Sequence, residues 1–505
     1  VKMSRQERRK RALQERKVQK KARMEAHKQL REKQEAAGMA VKMQNTASNS
    51  KSSFRTVQEE KEADQDWGVA YIKTMNRILP GVFQKLSRVK DFRHPGKIKY
   101  KAAVLLLSGL LSFVFQKTSR REANRELTTA TFIEKVKLCI PDFEEMPHHD
   151  SIHRFLSAMD ITDLEKAHME LVREFIASKK FSRYALGRSY PIAIDGSQKY
   201  AYNFLWAEEC QRRKVNGKDQ YYCYALEASL AFQGGLTIPL CTEFSNYMEG
   251  DAESDKQDCE LKAFRRLAGK LKGFFPKLKV IVLLDGLYPN GKIFELCRSY
   301  KWQYMIVLQD DSLKSVWEEY HALKDFEKGN KMNYVWGGRR QRFSWVNEIS
   351  YLYDNMKKEQ KVHVVVCEEM WDEVAPDGSI VQKTGTHTWI SSEPLHRGNI
   401  HERCNLGARH RWAIETGFLV EKRHGYQYEH TFSFNWNAMK GYHLLMRLAH
   451  MINSIAQYGS VLKSLFLEKG MRAAIKYLDE IFRRILLDPV RVMKALSSPY
   501  QIRFD

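Results

Sequence analysis

Three shortages narrow what this chain can be: it lacks a long hydrophobic stretch, paired cysteines, and enough acidic residues to balance its basic ones. The longest apolar run, Ala102 to Phe115, is broken by Ser108, Gly109 and Ser112. It falls short of the ~20 residues that span a bilayer, so it reads as a buried helix and no membrane partner is expected. The first residues are charged with no apolar segment behind them, so no secretory leader is read there. The eight cysteines, at 139, 210, 223, 241, 259, 297, 367 and 404, include no C-x-x-C pair. That scatter argues against a zinc ribbon and a disulfide framework, and suits a reducing cytoplasm. Acidic residues number 61 against 84 Lys and Arg, a net charge of +23 and a pI near 9.5. Such an excess favours a polyanion as partner, nucleic acid ahead of an anionic membrane face. With 505 residues, 43% of them hydrophobic, the chain can build two or three domains with a sizeable core.

The charge is uneven. Residues 1–38 hold 14 Lys and Arg against 5 Glu, a net of +9, with no Gly or Pro before Gly38. A basic helix is expected there, its apolar residues too sparse for a core face; it is either solvated or formed on a phosphate backbone. Residues 39–64 read as a flexible linker. From 65 to 180 apolar residues recur at helical spacing, in WGVAYIKTMNRIL, DSIHRFLSAM and DLEKAHMELVREFIA, which predicts a small all-α DNA-binding domain with Asp150 and Thr162 as N-caps. Its short segments 119–127 and 151–159 read either as a helix-turn-helix-like DNA reader or as parts of a plain bundle. His148, His149 and Asp150 have no further metal-type ligands at suitable spacing.

At 189 the pattern changes to strands. SYPIAID, DQYYCYALEASLAF, LTIPLCTEF, LKVIVLLD and YMIVLQ are apolar or aromatic runs, with a hairpin signal at Gly234-Gly235 and helices at 259–271 and 291–300. That order predicts an α/β fold with a mixed sheet, an antiparallel hairpin lying beside parallel strands. Residues 312–395 read as a β-rich insertion with turns at Gly337-Gly338 and Asp377-Gly378, and helix returns at 401–424 and 436–458. The expected parts are therefore 189–311 with 396–460 as one domain, the insertion 312–395 within it, and a helical region at 461–505.

Asp195 and Asp285 each close an apolar strand and each precede Gly. Ligands of open α/β sheets sit beyond the carboxyl ends of strands, and Gly there lets the chain turn. A third carboxylate lies in ARHRWAIETGFLVEKRH, residues 408–424. At about 100° per residue, Arg411, Glu415 and Lys422 share one helix face while Glu421 points elsewhere. Read locally, Arg411 and Glu415 form only an exposed i, i+4 pair, about 0.3–0.5 kcal/mol.

The spacing Arg-x3-Glu-x6-Lys resembles the Tyr-Arg-Glu-Lys signature helix of insertion-sequence DDE transposases, with Ala408 where the signature Tyr would fall. That branch carries a β-strand insertion between the second Asp and the Glu of a ribonuclease-H-like domain. Here 90 residues separate Asp195 from Asp285, and 130 separate Asp285 from Glu415, with the β-rich segment in the second interval. The resemblance covers roughly 189–458. It implies catalytic carboxylates Asp195, Asp285 and Glu415 holding two Mg²⁺ or Mn²⁺ ions, Asp195 shared and the others taking one each. Hard divalent ions prefer such an all-oxygen donor set, and a metal pair serves both the attacking and the leaving oxygen of phosphoryl transfer. It further implies that Arg411 and Lys422 hold phosphates of double-stranded DNA at transposon ends and that a homodimer acts on ends and target. A cytoplasmic, nucleoid-associated place in a prokaryote follows. In the insertion, Arg339, Arg340 and Arg342 lie beside Trp336 and Trp345, with Trp389 farther along; these are candidate DNA contacts, the indoles either core or stacked on an extruded base. A hydrolytic nuclease of the same fold and a non-catalytic DNA-binding relic are the alternatives.

Overall fold

The computed structural model describes residues 4–39, 51–245 and 260–504. Among them are ten strands and fifteen α-helices in a mixed α/β fold. The chain divides into two units: residues 46–283, 300–302 and 409–505 form the larger, and residues 1–45, 284–299 and 303–408 the smaller.

In the larger unit, strands β1 (Tyr190–Tyr202), β2 (Gln211–Val215), β3 (Lys218–Ala231), β4 (Thr237–Ser245) and β5 (Val280–Leu284, its last residue assigned to the smaller unit) form the order β2-β3-β1-β5, with β4 also on β3. β1 runs antiparallel to β3, Ile192 opposite Leu230, and parallel to β5, Ala193 opposite Leu283. β2 and β4 share the other edge of β3. Val280 to Leu283 are buried to the last residue, as a strand covered on both faces must be. The hairpin at Gly234-Gly235 forms as expected, both glycines at positive φ (81° and 89°). The β2 strand, QRRKV, was not foreseen: it is a charged edge strand, exposed after Gln211, and carries no apolar alternation to read.

Helices fill the rest of this unit. The run read as too short for a membrane is the buried helix Ala102–Val114. It packs on Trp436–Tyr458, a helix buried on nearly every side. No helix among the described residues is long and apolar enough to cross a membrane. The helix Val57–Leu86 begins at its N-cap Thr56, so the last eight residues of the stretch read as a linker are helical; residues 40–50 of that stretch lie outside the described residues. Two caps differ from expectation. His148, not Asp150, caps His149–Ala158, and Asp160, not Thr162, caps Ile161–Ala177. In both, the acceptor lies two residues before the backbone N–H it satisfies, and the side chain that looked like a cap sits in the first turn.

In the smaller unit, β6 (Gln303–Val307), β7 (Lys331–Trp336), β8 (Arg339–Tyr353), β9 (Lys358–Val374) and β10 (Ile380–Ser391) form an antiparallel order β6-β10-β9-β8-β7. The turns at Gly337-Gly338 and Gly378 use positive φ, as their sequences foretold. The segment 312–395 is not all strand, however: it opens with the helix Lys314–Leu323, whose Tyr320 hydroxyl bonds Ser344 of β8 at 2.7 Å. The basic helix is real, Arg5–Ala36, closed by a capping box at Ser4 and Glu7. Its apolar face is not wholly absent: Ala26 and Leu30 are buried against Val374 of β9.

Candidate active site

Asp195 does not end its strand. β1 continues seven residues past it, and Asp195 pairs with Glu227 of β3. The sequence made Gly196 a turn residue; its place in the ladder gives another reason for glycine. A Cβ at Gly196 would lie 1.9 Å from the Tyr224 hydroxyl, which itself bonds Glu260 at 2.7 Å. Glycine is needed for cross-strand approach, not for a bend. Farther along, the β1–β3 register slips between Gln198 and Tyr200, and Lys199 is buried there, as bulges re-aim side chains.

Glu415 lies in the first turn of the helix Trp412–Arg423. The stretch before it, read as the same α-helix, is instead a π-helical segment His401–Gly407 followed by a 3-10 turn Ala408–Arg411. Arg411 therefore stands at the junction, and its guanidinium joins two carboxylates. One amino group is 2.7 Å from Glu415 Oε1 and the other 3.4 Å from Asp195 Oδ2. Only 8% of the Arg411 side chain is exposed, against 33% for Glu415. The pair expected from the sequence is thus one half of a bridge that draws in a residue 216 positions away. Lys422 points back to β1 as well, its ammonium 3.4 Å from the Gln198 carbonyl and 3.5 Å from Glu429. Asp195, Arg411, Glu415 and Lys422 are gathered within the larger unit.

Glu421, on the same helix, is not a bystander. It is fully buried, 3.2 Å from Arg447 and 2.6 Å from His450. Arg447 also pairs with Glu227, which accepts from Tyr428 at 2.9 Å and lies 3.2 Å from His443. The Lys199 ammonium donates to the Tyr428 carbonyl at 2.8 Å. Burial alone would raise the Glu227 carboxyl, but Arg447 and His443 outweigh it and hold it below the ordinary range. Burial depresses Lys199 to about 8. This network fastens the inner side of the helix that carries Glu415 and underlies the Asp195 strand pair. The sequence reading missed it, although its signal is present: His443, Arg447 and His450 recur at spacings of four and three along an otherwise apolar helix.

In the smaller unit, Asp285 follows β5 directly, its carboxylate accepting from the Leu287 amide at 2.9 Å. Gly286 lies in the turn its sequence foretold, closed by the Tyr288 amide donating to the Asp285 carbonyl at 3.3 Å, and a Cβ there would also meet the Gln309 side chain at 2.5 Å. Arg339 pairs with Glu369 at 2.9 Å and lies 4.1 Å from the centre of the Trp371 ring. Arg340 is exposed and lines an open groove with Tyr334, Arg342, Glu368 and Thr386. Trp389 and Trp345 are 4% and 3% exposed, and Trp389 stacks on His387 with centroids 5.7 Å apart. Both are core residues of their strands rather than free stacking surfaces. The less buried indole is Trp336, edge-on to His401.

Whether these residues suit a metal divides into donor chemistry and arrangement. Asp195, Asp285 and Glu415 are all oxygen donors, as a hard divalent ion requires. Yet no group of three or more His, Cys, Asp or Glu among the described residues stands together as a metal site, and two of the three carboxylates are held by Arg411 instead. The donor set suits the ion; the arrangement is that of carboxylates neutralised by a guanidinium.

No curated protein sequence matches the chain. Residues 83–172 match the family described as DDE_Tnp_1-associated, a domain found in DDE-type transposase families, and this match supports a transposase.

Proposed function

We propose that the chain is an insertion-sequence-type DDE transposase: a ribonuclease-H-like domain carrying a β-rich insertion, acting as a homodimer on double-stranded transposon ends and target DNA. The observation that carries this reading is the Arg411 bridge. It unites Asp195 of the sheet with Glu415 of the signature helix, two residues singled out independently from distant parts of the sequence. Asp285, the acidic residue that follows the buried strand β5, enters the reading through the resemblance. The matched segment 83–172 supports the same reading from outside the resemblance.

Asp195, Asp285 and Glu415 would hold two Mg²⁺ or Mn²⁺ ions, which when bound supply the Lewis acidity that phosphoryl transfer requires. The chain's own groups do the rest. Arg411 and Lys422 present positive charge beside the carboxylates, where DNA phosphates would otherwise be repelled. The buried pairs of Glu227 and Glu421 with Arg447 hold strand and helix in register behind them.

The test is cleavage of a duplex carrying the ends of the element. Asp195→Asn, Asp285→Asn and Glu415→Gln should each abolish Mg²⁺-dependent cleavage and leave duplex binding nearly intact. Near wild-type cleavage by Glu415→Gln would refute the assignment. Supplying a pre-cut end with a free 3′-hydroxyl separates strand transfer from hydrolysis, since only a transposase joins that end to a target.

A further inference from the structure

The basic helix Arg5–Ala36 is two things joined end to end. From Ala22 onward it is fastened to the strands of its own unit. Ala26 and Leu30 are buried on Val374, and the Lys33 ammonium is 3.1 Å from Asp372. At the two hairpin turns the approach is close: a Cβ on Gly378 would come within 3.3 Å of Ala22, and one on Gly338 within 3.2 Å of Gln34. This fastened part is nearly neutral, with four Lys and Arg against three Glu over residues 22–36. Arg5 to Lys21 is the reverse. Every residue of it is exposed, and nine Lys and Arg face two Glu, a net of +7.

The charges are also sided. With Arg5 at zero and about 100° per residue, Arg5, Arg9, Arg16 and Lys20 fall between about 0° and 60°, and Lys10, Lys17 and Lys21 between about 120° and 160°. Glu7 and Glu15 fall near 200° and 280°, outside that arc. Arg8 and Arg11 fall near 300° and 240°, and the fastening residues Ala22, Ala26, Leu30 and Lys33 between about 260° and 340°, next to the first row and opposite the second. Seven of the nine cations of Arg5–Lys21 thus form two rows outside the arc of the fastening residues, the second of them facing away from the sheet that holds the helix. Only Leu13 and Gln6, near 80° and 100°, stand between the rows.

We infer that Arg5–Lys21 is a rigid basic arm that the β-strand unit presents to duplex DNA, its two cation rows taking the phosphate strands on either side of a groove. Seventeen helical residues extend about 25 Å, and duplex DNA offers one charge per ~1.7 Å, so the arm is matched to roughly fifteen phosphates. The two-row face fits a polyanion with two parallel lines of charge, which distinguishes duplex from a single strand. The inference rests on DNA being the partner in the reading above, but its test uses binding alone, without metal or cleavage.

The experiment is fluorescence anisotropy of the full chain with a 30-base-pair duplex of random sequence, across a salt series. Each phosphate contact contributes about −0.9 to the slope of log K against log salt. Changing Arg5, Arg9, Arg16 and Lys20 together to Gln should therefore flatten the slope by about 3 to 4, while Glu7→Gln with Glu15→Gln should not flatten it. Leu30→Asp should weaken binding at least tenfold by freeing the arm. Because that variant also disturbs a packed residue, Lys33→Asp and Asp372→Lys are made singly and together, with affinity expected to recover in the pair. An unchanged slope in the fourfold variant, or tighter binding of a single-stranded RNA of equal length, overturns the inference. So does wild-type affinity in both Leu30→Asp and the single charge reversals, which would make the fastening irrelevant. Failure of the wild-type chain to cleave an end-containing duplex, with the binding and slope effects as expected, would instead count against the transposase reading and leave the arm standing.

Discussion

At the residue scale, Gly196 shows how a local rule and a tertiary one give the same residue for different reasons. Asp-Gly after an apolar run signals a turn, and the sequence offered nothing against it, because GSQKYAY has no clean alternation. What keeps the strand going is its pairing with β3 as far as Tyr202, a partner remote in sequence. Gly196→Ala should cost roughly 1–3 kcal/mol by overpacking against Tyr224, read as a lower urea midpoint at constant slope. In a Tyr224→Ala background the same change should cost much less. Equal costs in both backgrounds would remove Tyr224 as the cause. Asp195 and Asp285 drew notice through the apolar runs they follow and Glu415 through its helix face, but Arg411 as a bridge was not legible. An i, i+4 pair is visible in one dimension, whereas its contact with Asp195 exists only once β1 and the helix Trp412–Arg423 are packed.

At the element scale, the helix Trp412–Arg423 is two-sided in a way its angular spacing foretold only in part. Spacing separated Glu421 from Glu415, but it could not reveal that the second side is anchored to Arg447 and His450. Glu421→Ala should therefore cost about 3–5 kcal/mol, the usual penalty for stranding a buried partner, and it cannot serve as a neutral control. The exposed Thr416 can. Lys422→Ala should weaken binding or cleavage of an end-containing duplex far more than Thr416→Ala, with both unfolding at the wild-type midpoint. Matching small effects would leave the DNA-facing role of the helix without support.

The helix His149–Ala158 carries a pH dependence. His149 is 3% exposed, with Nε2 2.8 Å from the Ser112 hydroxyl. Burial first, then the charges of Arg120 and His148, lower it from 6.5 to about 4. Between those values the unfolded chain binds a proton that the folded chain refuses, so acidification favours unfolding. Stability should be lost progressively from pH 6.5 down to pH 4, by up to roughly 3 kcal/mol from this group. His149→Gln should make the fall of melting temperature over that range shallower; an identical pH profile would exclude His149 as its source.

At the scale of the whole molecule, the mixed sheet and its hairpins were legible because apolar runs and glycine turns are local signals. The division into units was not. The chain passes between the two units five times, at 45/46, 283/284, 299/300, 302/303 and 408/409, and no composition shift marks the two crossings that flank residues 300–302. The helical region 65–180, expected as a separate domain, clusters with β1–β4 in one unit. The cysteines report on both units together. Cys139, Cys210, Cys223 and Cys241 are buried in the larger, and Cys297, Cys367 and Cys404 in the smaller. These seven thiols should resist Ellman's reagent in the native protein and react in guanidinium. Release of three before the other four would show the smaller unit opening first.

The helix Val57–Leu86 has a consequence for synthesis. Its partners include Leu486, Asp488 and Arg491: Gln65 donates to the Leu486 carbonyl at 2.8 Å, and Arg491 reaches Glu62 at 2.8 Å, 429 residues along the chain. A ribosome adding about 5–20 residues per second needs roughly 20 to 90 seconds to cover that distance. Throughout that interval Gly68, which lies against Leu487 and Ile481, and Tyr71, whose ring meets Phe482 edge-on at 5.1 Å, await part of their cover. Until the final helices emerge that face is left incompletely covered on the nascent chain, so holdase chaperones that shield it should raise the yield of folded protein.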